Sequence, residues 1–467
     1  MTPDDYANCD ATELTALVRR GDVAAAEVIA VAETLLDELS GRLNFMQFPG
    51  RPAILPAGAH VPTLIKDVGA HIAGRPFRSG SRLFEGETCA QDSHVADALE
   101  AAGCVVMGSS AAPEFSLEGH THSDLFGRTL NPWDPARSPG GSSGGAAAAV
   151  ASGAVPVAHA SDIAGSIRLP AAWCGVVGLK PSRGRVSAGP MRDEAGFGLA
   201  SNFVLTRTVR DVARFLDPFA RPCPGDPFSL PAPEAGYAGL LTRTATPRLR
   251  IAVTGAAPGT PAQAVALLLE EMGHAVTEVD GLLPDAEALM ALADVWHGGF
   301  DATVDATAAR KGLVPEAVLG PTALAAYRHA GTIDLNAFLA AQLHLNTVRR
   351  AIGRRLAPYD LWLTPTTPGP APAWADVHPI GPDAPFRTHV TGQMAPIFAF
   401  TFVHNILGTP AISLPLGQTG TGLPLGVQLG AKSGREDLLV LVSRDLEAAR
   451  PWAQRRPPIH ATARADA

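Results

Sequence analysis

Hydrophobic and polar positions over the first forty residues recur at helical spacing. In "DATELTALVRRGD", Leu14, Leu17 and Val18 share one face, with Asp10 or Thr12 placed to cap the start. "AAAEVIAVAETLLDEL" repeats the pattern. "PTLIKDVG" is a short apolar run ending in a turn and predicts a strand. "DSHVADALEAAG" predicts a helix stopped by glycine, and "CVVMGSS" the strand after it. The alternation continues through "AAAAVASGA", "VVGLKPSRGRVS", "TVRDVARFLD" and "LRIAVTG". "AQAVALLLEEMGHAVTEV" is a further helix followed by a strand. Helices and strands in turn argue for an α/β layered architecture. Pro/Gly-rich stretches at 218–236 and 365–385 read as surface excursions. They do not separate compositionally different halves, and no repeat of about 20–50 residues is found, so one large domain over 1–467 is expected.

Composition supports a packed chain. Of 467 residues 46% are hydrophobic and 18% charged, enough for a sizeable core and too few charges for disorder. Lys+Arg 37 against Asp+Glu 45 leaves a net charge of −8 with no long basic run, which argues against nucleic acid as a partner. The start, "MTPDDYANCD", is acidic and polar, unlike a secretory leader. The run nearest to a membrane span, "GGAAAAVASGAVPVAHA", is built of small residues and broken by Pro156. Cys9, Cys89, Cys104, Cys174 and Cys223 are scattered, with no CxxC pair, which fits reduced thiols. The expectation is a soluble cytoplasmic protein without a membrane partner. A homodimer is compatible with it and not required.

Three pieces carry candidate chemistry. Lys66 sits in an apolar strand behind Leu64 and Ile65; a strand lysine is ordinarily an exposed residue on a half-buried face. "SPGGSSGGAAAAVASG", 138–153, is a Gly/Ser run that feeds straight into an alanine-rich helix, so its last amides lie at a helix N-terminus. "SDIAGSIRLP", 161–170, sets Ser166 among small residues, between an aspartate and an arginine, 24 residues after Ser142. Other readings compete for these residues. Gly140, Ser142 and Gly144 satisfy G-x-S-x-G, but that nucleophile elbow needs a strand before it, and "NPWDPARSP" carries three prolines. A phosphate loop lacks its G-K-[ST]. His120 and His122 in "GHTH" form a candidate metal pair, yet no other cluster has ligand spacing, so no metal is expected.

Together the pieces resemble the amidase signature family of serine hydrolases. "GGSSGGAAAAVASGAVPVAHASDIAGSIRLPAAWCGVVGLKPSRGRVS" is similar to its signature region and "PTLIKDVG" to its lysine strand. "SDLFGRTLNPWDPARSPGG" resembles the approach to the signature, "LTRTVRDVARFLD" the helix after it, and "LGTPAISLPLGQTGTGLPLGVQLGAKSGREDLLV" the C-terminal core. "VPVAHASD" and "GLKPSRGRVS" look most like the branch containing aminohexanoate cyclic-dimer hydrolases. The resemblance implies an α/β fold, a large mixed β-sheet covered by helices on both faces. Within one amidase domain it implies N-terminal helices at 10–40, a signature core at 60–220, a variable pocket region at about 280–400 and a C-terminal core at 400–450. It implies a Ser–Ser–Lys triad with Ser166 as nucleophile, Ser142 as bridging serine after a cis Gly141–Ser142 peptide, and Lys66 as base. The backbone amides of Ile163, Ala164, Gly165 and Ser166 would form the oxyanion hole. No cofactor is implied, and the substrate would be a small-molecule amide.

The residue chemistry agrees. Bare backbone lets a carbonyl oxygen reach N–H donors, and one such donor is typically worth about 10²–10³ in rate. A lysine base must be neutral, so its pKa has to fall from near ~10.4 to about 7, which burial can supply. Asp67 would oppose that fall, but neighbours on a strand face opposite ways. Two departures from the family pattern bear on the pocket: Ala164 stands where a glycine is usual, and "GSSAAPEF", 108–115, replaces "GKTNTPEF". Loops at 110–126 and 280–400 are the expected pocket walls, with His122, Trp296 and Phe300 as candidates. The leading reading is an amide hydrolase working through an acyl-enzyme. The competitors are an amide-forming acyltransferase, an amidotransferase subunit (against which Leu169 counts, where glutamine is usual) and a catalytically silent binding protein.

Overall fold

Eleven strands of one mixed sheet run through the chain in the computed structural model, which describes residues 1–50, 58–243, 245–378, 380–381 and 383–463. In chain order the strands are β1 (Met46–Pro49), β2 (Val61–Lys66), β3 (Cys104–Ser110), β4 (His122–Ser123), β5 (Gly127–Arg128), β6 (Val157–Asp162) and β7 (Val177–Lys180). Then come β8 (Ser201–Thr206), β9 (Arg250–Val253), β10 (Ala275–Glu278), β11 (Leu361–Pro365), β12 (Ala411–Gln418) and β13 (Pro424–Ala431). β4 and β5 form a separate hairpin. The large sheet has the order β1-β3-β2-β6-β8-β7-β12-β13-β11-β9-β10. Two parallel blocks, β3-β2-β6 and β11-β9-β10, flank an antiparallel centre. β2 and β8 are buried along their whole length, so they appear as continuous runs without a two-residue alternation. The edge strands β1 and β10 are short and only half-buried.

Local signals act where the pattern put them. Asp10 caps the helix Ala11–Arg20 by accepting from Glu13 N, while Thr12 donates to Asp211. The helices Ala25–Leu43, His94–Ala101, Val209–Phe219 and Pro261–Glu271 fill the other helical stretches. The helix Gly144–Ala151 is buried on every side, because glycine and alanine let it pack against β2, β6 and β8. β1, β8 and the helices Ala286–His297, Phe300–Lys311, Pro321–Ala330 and Leu335–Leu356 have no counterpart in the pattern reading. The expectation of a surface excursion at 365–385 fails over 365–374, where Thr366, Thr367, Ala371 and Trp374 are buried. Carbonyls of this segment at Gly369, Ala371 and Pro372 accept from Trp173, Arg137 and Ser138, which fastens it to the loop before Ser142. The expectation holds for Ala375, Asp376, His378, Gly381, Asp383 and Pro385, which are exposed; residues 379 and 382 lie outside the described residues. From 221 to 235 the other Pro/Gly-rich stretch stays on the surface.

Two apolar clusters dominate the core. One fills the sheet and its packing helices. The other joins Ile163 and Ala164, from the turn after β6, and Leu169, from the helix Arg168–Cys174, to the helices of 286–398. That turn lies at the seam between them.

Candidate active site

β2 and β6 are parallel neighbours with Thr63 opposite Val157 and Leu64 opposite Ala158. Both carboxyl ends therefore open on the same side, the usual position for a ligand crevice in such sheets. Lys66 is the last residue of β2 and wholly buried. Its Nζ donates to Ser142 Oγ at 2.7 Å and to Ser161 Oγ at 2.9 Å. Burial pulls the amine from the ordinary lysine range down to about 7, against the opposing charge of Asp162. Asp67 faces away, its carboxylate accepting from the N–H groups of Arg78 and Gly80. The Lys66 backbone is held as well: its N–H donates to His159 Nδ1 at 3.2 Å. That bond puts the ring proton on Nε2, which faces Asn202 Oδ1 at 3.2 Å. Burial, helped by the Lys66 charge, keeps His159 neutral with a pKa of about 3.

Ser142 comes from the loop before the buried helix, after a cis Gly141–Ser142 peptide. Thr121 pins this loop by donating to Gly140 O and accepting from Gly144 N. Ser143 Oγ ties it to β6 by donating to Ser161 O at 3.2 Å. A Cβ on Gly141 would lie 2.6 Å from His120 N, so the segment Gly119–His120 backs directly on the Gly141–Ser142 peptide.

β6 runs into the turn 163–167, and the helix Arg168–Cys174 follows. Ile163, Ala164 and Ser166 are nearly or fully buried. Gly165 adopts φ +143°, and a side chain there would also strike Thr401 Oγ1. Among the described residues none of the N–H groups of Ile163, Ala164, Gly165 and Ser166 has a hydrogen-bond acceptor, whereas Ile167 N donates to Asp162 Oδ2 at 3.1 Å. Buried amides are rarely left unpaired, and four in succession form a ready site for an anionic oxygen.

A buried polar network locks this turn. Arg168 uses all five of its N–H donors: on both oxygens of Asp162, on Gln428 Oε1, on Asn405 Oδ1 and on the carbonyl of Thr401. Burial pushes the Asp162 carboxyl up, but the Arg168 charge and the hydrogen bonds outweigh it and hold the pKa down to about 2. Removing either member of such a pair strands a buried charge, at a cost of roughly 3–5 kcal/mol.

Comparison with known proteins places the chain in a family. The model of the family described as Amidase matches residues 56–440. The chain belongs to the Amidase family. It is 32% identical over 480 residues to the 6-aminohexanoate-cyclic-dimer hydrolase of Paenarthrobacter ureafaciens, covering 96% of each chain. Among solved structures, a 6-aminohexanoate cyclic dimer hydrolase complexed with substrate superposes with a TM-score of 0.88 at 30% identity, covering 97% of this chain and 99% of the other. A bacterial aryl acylamidase of the amidase signature family gives 0.84 at 25% identity, covering 96% and 97%. The expected fold and the expected branch are both borne out, and the chain is an amide-hydrolysing enzyme. Among the described residues no helix is long and apolar enough to cross a membrane.

The segment Gly119–His120, which backs on Gly141, borders a cavity of about 300 Å³ whose wall also includes His122, Arg128, Trp374 and Ile397. His122 is therefore on a cavity wall. His120 donates to or accepts from Ser138 Oγ and stacks on Trp173; burial, with His389 nearby, drops its pKa to about 4. Trp296 and Phe300 lie in the second apolar cluster instead, Trp296 against the His297 ring and Phe300 edge-on to Phe115 at 5.0 Å. Among the described residues no group of three or more His, Cys, Asp or Glu side chains is arranged to hold a metal ion.

Several residues of the site escaped the sequence reading. Ser161, the second hydroxyl on the Lys66 amine, opens the quoted decapeptide and carried no signal separating it from an ordinary strand serine. Asp162 and Arg168 were visible as the charges flanking Ser166. Their partners Thr401, Asn405 and Gln428 lie more than 230 residues downstream, and no local pattern points to them.

Proposed function

We propose that the enzyme hydrolyses a carboxamide through an acyl-enzyme on Ser166, without a cofactor. The observation that carries this reading is the 2.7 Å hydrogen bond from a fully buried Lys66 amine, with its pKa near 7, to Ser142 Oγ. At neutral pH a large share of such an amine is unprotonated and able to take a proton. In the forward step Lys66 Nζ takes the Ser142 proton while Ser142 Oγ takes that of Ser166. Ser166 Oγ then attacks the carbonyl carbon. The four unpaired amides of Ile163, Ala164, Gly165 and Ser166 receive the negative oxygen. The proton returns through Ser142 to the leaving nitrogen, the C–N bond breaks, and the amine departs. Water, deprotonated along the same relay, attacks the ester and releases the carboxylic acid and free Ser166. The relay requires the Ser166 hydroxyl to close onto Ser142 Oγ in the substrate complex, since catalytic hydrogen bonds commonly tighten only there.

The substrate class is a small-molecule carboxamide or a linear or cyclic oligoamide. Two similar proteins named for a cyclic dimer and for aryl acylamides support that range. The cavity bordered by Gly119, His120 and His122, next to the loop that carries Ser142, is the proposed acyl or amine pocket. The test is a panel of primary amides, anilides and linear and cyclic oligoamides, run with wild type and Ser166→Ala. Wild type should turn over at least one class and trap its acyl group on Ser166, read by peptide mass. If Ser166→Ala keeps more than about a hundredth of kcat, a factor that acid–base assistance alone supplies, Ser166 is not the nucleophile.

A further inference from the structure

One place gathers positive charge in a chain whose net charge is −8. It is a cavity of about 200 Å³ where the helix Pro3–Asn8, the start of the helix Val209–Phe219 and the tail 452–460 meet. It shares no wall residue with the cavity bordered by His120. Arg207, Arg455 and Arg456 line it, and their hydrogen bonds go to neutral oxygens. Arg207 Nη1 and Nη2 donate to the carbonyls of Val155 and Cys9, and Arg455 Nη2 donates to that of Pro415. Arg456 donates to Thr462 Oγ1 and Asn8 Oδ1. Asp10, a carboxylate on the wall, is taken by Arg210, whose Nη2 donates to Oδ1 at 2.8 Å. Asp211, whose charge acts on Arg207 from farther off, accepts from the amides of Ala11 and Thr12. Among the described residues the three guanidiniums have no ion-pair partner.

Their remaining donors belong to this cavity. Arg207 Nε, Arg455 Nε and Nη1, and Arg456 Nε have no partner among the described residues, and none of these atoms is sealed from solvent. His460 adds another. Its Nδ1 accepts from Thr462 N at 3.1 Å, which leaves the ring proton on Nε2, a nitrogen also unpaired and open. Burial, with the Arg207 and Arg456 charges, drops the His460 pKa to about 3, so the ring is neutral and both guanidiniums act on it. Trp133 and Trp452 complete the wall. Their indole N–H groups are spent on Cys174 O and Arg207 O, so they offer aromatic carbon alone.

Unpaired donors and unpaired positive charge call for an anion. A carboxylate is matched by a single guanidinium fork. A phosphate carries close to two negative charges and three strong acceptor oxygens, which suits donors arriving from separate segments. We propose that this cavity binds a phosphate group, free or carried as a monoester on a small aromatic molecule, held by Arg207, Arg455, Arg456 and His460.

The experiment titrates the full chain calorimetrically at about pH 8, where phosphate is a dianion, with inorganic phosphate, phenyl phosphate and benzoate at matched ionic strength. Phosphate and phenyl phosphate should bind saturably at one site, the ester more tightly because its ring meets the two indoles. Tighter binding of phosphate than of its ester assigns the site to the free ion. Benzoate, with the same ring and one charge, should bind at least about tenfold more weakly than phenyl phosphate. Arg455→Gln and Arg456→Gln should each weaken both phosphates about tenfold, the loss of hydrogen bonds to a charged group. Arg354→Gln, which removes an equal charge from an exposed position off the cavity, should change neither. Cooperative urea unfolding checks that each variant is folded. Absence of saturable binding, or equal losses in Arg354→Gln and Arg455→Gln, overturns the site. Equal binding of benzoate and phenyl phosphate in wild type overturns the phosphate assignment without any variant.

Discussion

Two lysines end two strands of the sheet, and they differ in what their amines touch. Lys66 closes β2 and Lys180 closes β7; both are buried, and burial pulls both down to about 7. At Lys180 the Arg168 charge adds to the fall and Asp162 opposes it. By pKa alone the two are equally good bases. The Lys66 amine, however, meets two serine hydroxyls, each able to give and to accept a proton. Lys180 Nζ donates to the carbonyl of Pro181, which only accepts. A depressed pKa makes an amine available, and a partner that carries a proton makes it a base.

Substituting each lysine tests this most strongly. Lys66→Met should lower kcat by about 10²–10⁴, the range of general acid–base assistance, while Lys180→Met should stay within about tenfold. Steady-state kinetics on any turned-over amide decides it, and comparable losses in both would break the contrast. The pH profile sharpens it. With a neutral amine as base, kcat should rise through about pH 7 in wild type, and Lys180→Met should keep that midpoint. Loss of the limb near pH 7 in Lys180→Met would assign the titration to the wrong lysine.

Stability carries the same signature. Each lysine titrates near 7 in the folded chain against 10.5 for the ordinary group. Between those values the unfolded chain holds more protons, so each lysine makes stability rise with pH across that window, and its penalty is full below about 7. Relative to Lys180→Met, wild type should gain about 1.4 kcal/mol per pH unit between roughly pH 7.5 and 9, read from urea midpoints. Parallel curves would mean that Lys180 does not titrate in that window.

Two smaller effects concern the surroundings of the reactive pair. Ser161→Ala removes one of the two hydroxyls aiming the Lys66 amine and should lower kcat about fivefold with KM unchanged. A shift in KM alone would make Ser161 a substrate contact. Ala164 is buried in the second apolar cluster, and its carbonyl accepts from Thr401 Oγ1 at 2.6 Å. Ala164→Gly keeps the amide donor and loosens the backbone, so kcat/KM should stay within about tenfold. A uniform loss beyond a hundredfold would mean that the methyl holds the turn in place.

Much of the site is local in origin and was legible for that reason. A serine among small residues, a glycine-rich loop entering a helix and a lysine in an apolar strand are each fixed by a few neighbouring side chains. The apolar neighbours Leu64 and Ile65 suited the burial that lowers the Lys66 amine. A strand lysine is ordinarily exposed, however, and only the packing shows that this one is not. The opposite facing of Asp67 follows from the alternation of a strand. Helices and strands with clear periodicity were legible too. β8 was not: full burial erases the two-residue alternation as it does in β2, and the polar Ser201 and Asn202 leave β8 too short an apolar run to mark it instead.

What only the tertiary structure decided depends on strands pairing across the chain. Nothing in the residues around Lys66 and Lys180 separates a lysine that meets hydroxyls from one that meets a carbonyl. That difference comes from the parallel pairing of β2 with β6, which opens their carboxyl ends side by side and brings Ser161 to the amine. The same is true of Arg168, whose five donors are satisfied from residues 162, 401, 405 and 428. Sequence by itself determines which side chains a segment offers and how its backbone bends. A buried charge finds all its partners only when distant segments close around it, because no single segment holds enough acceptors.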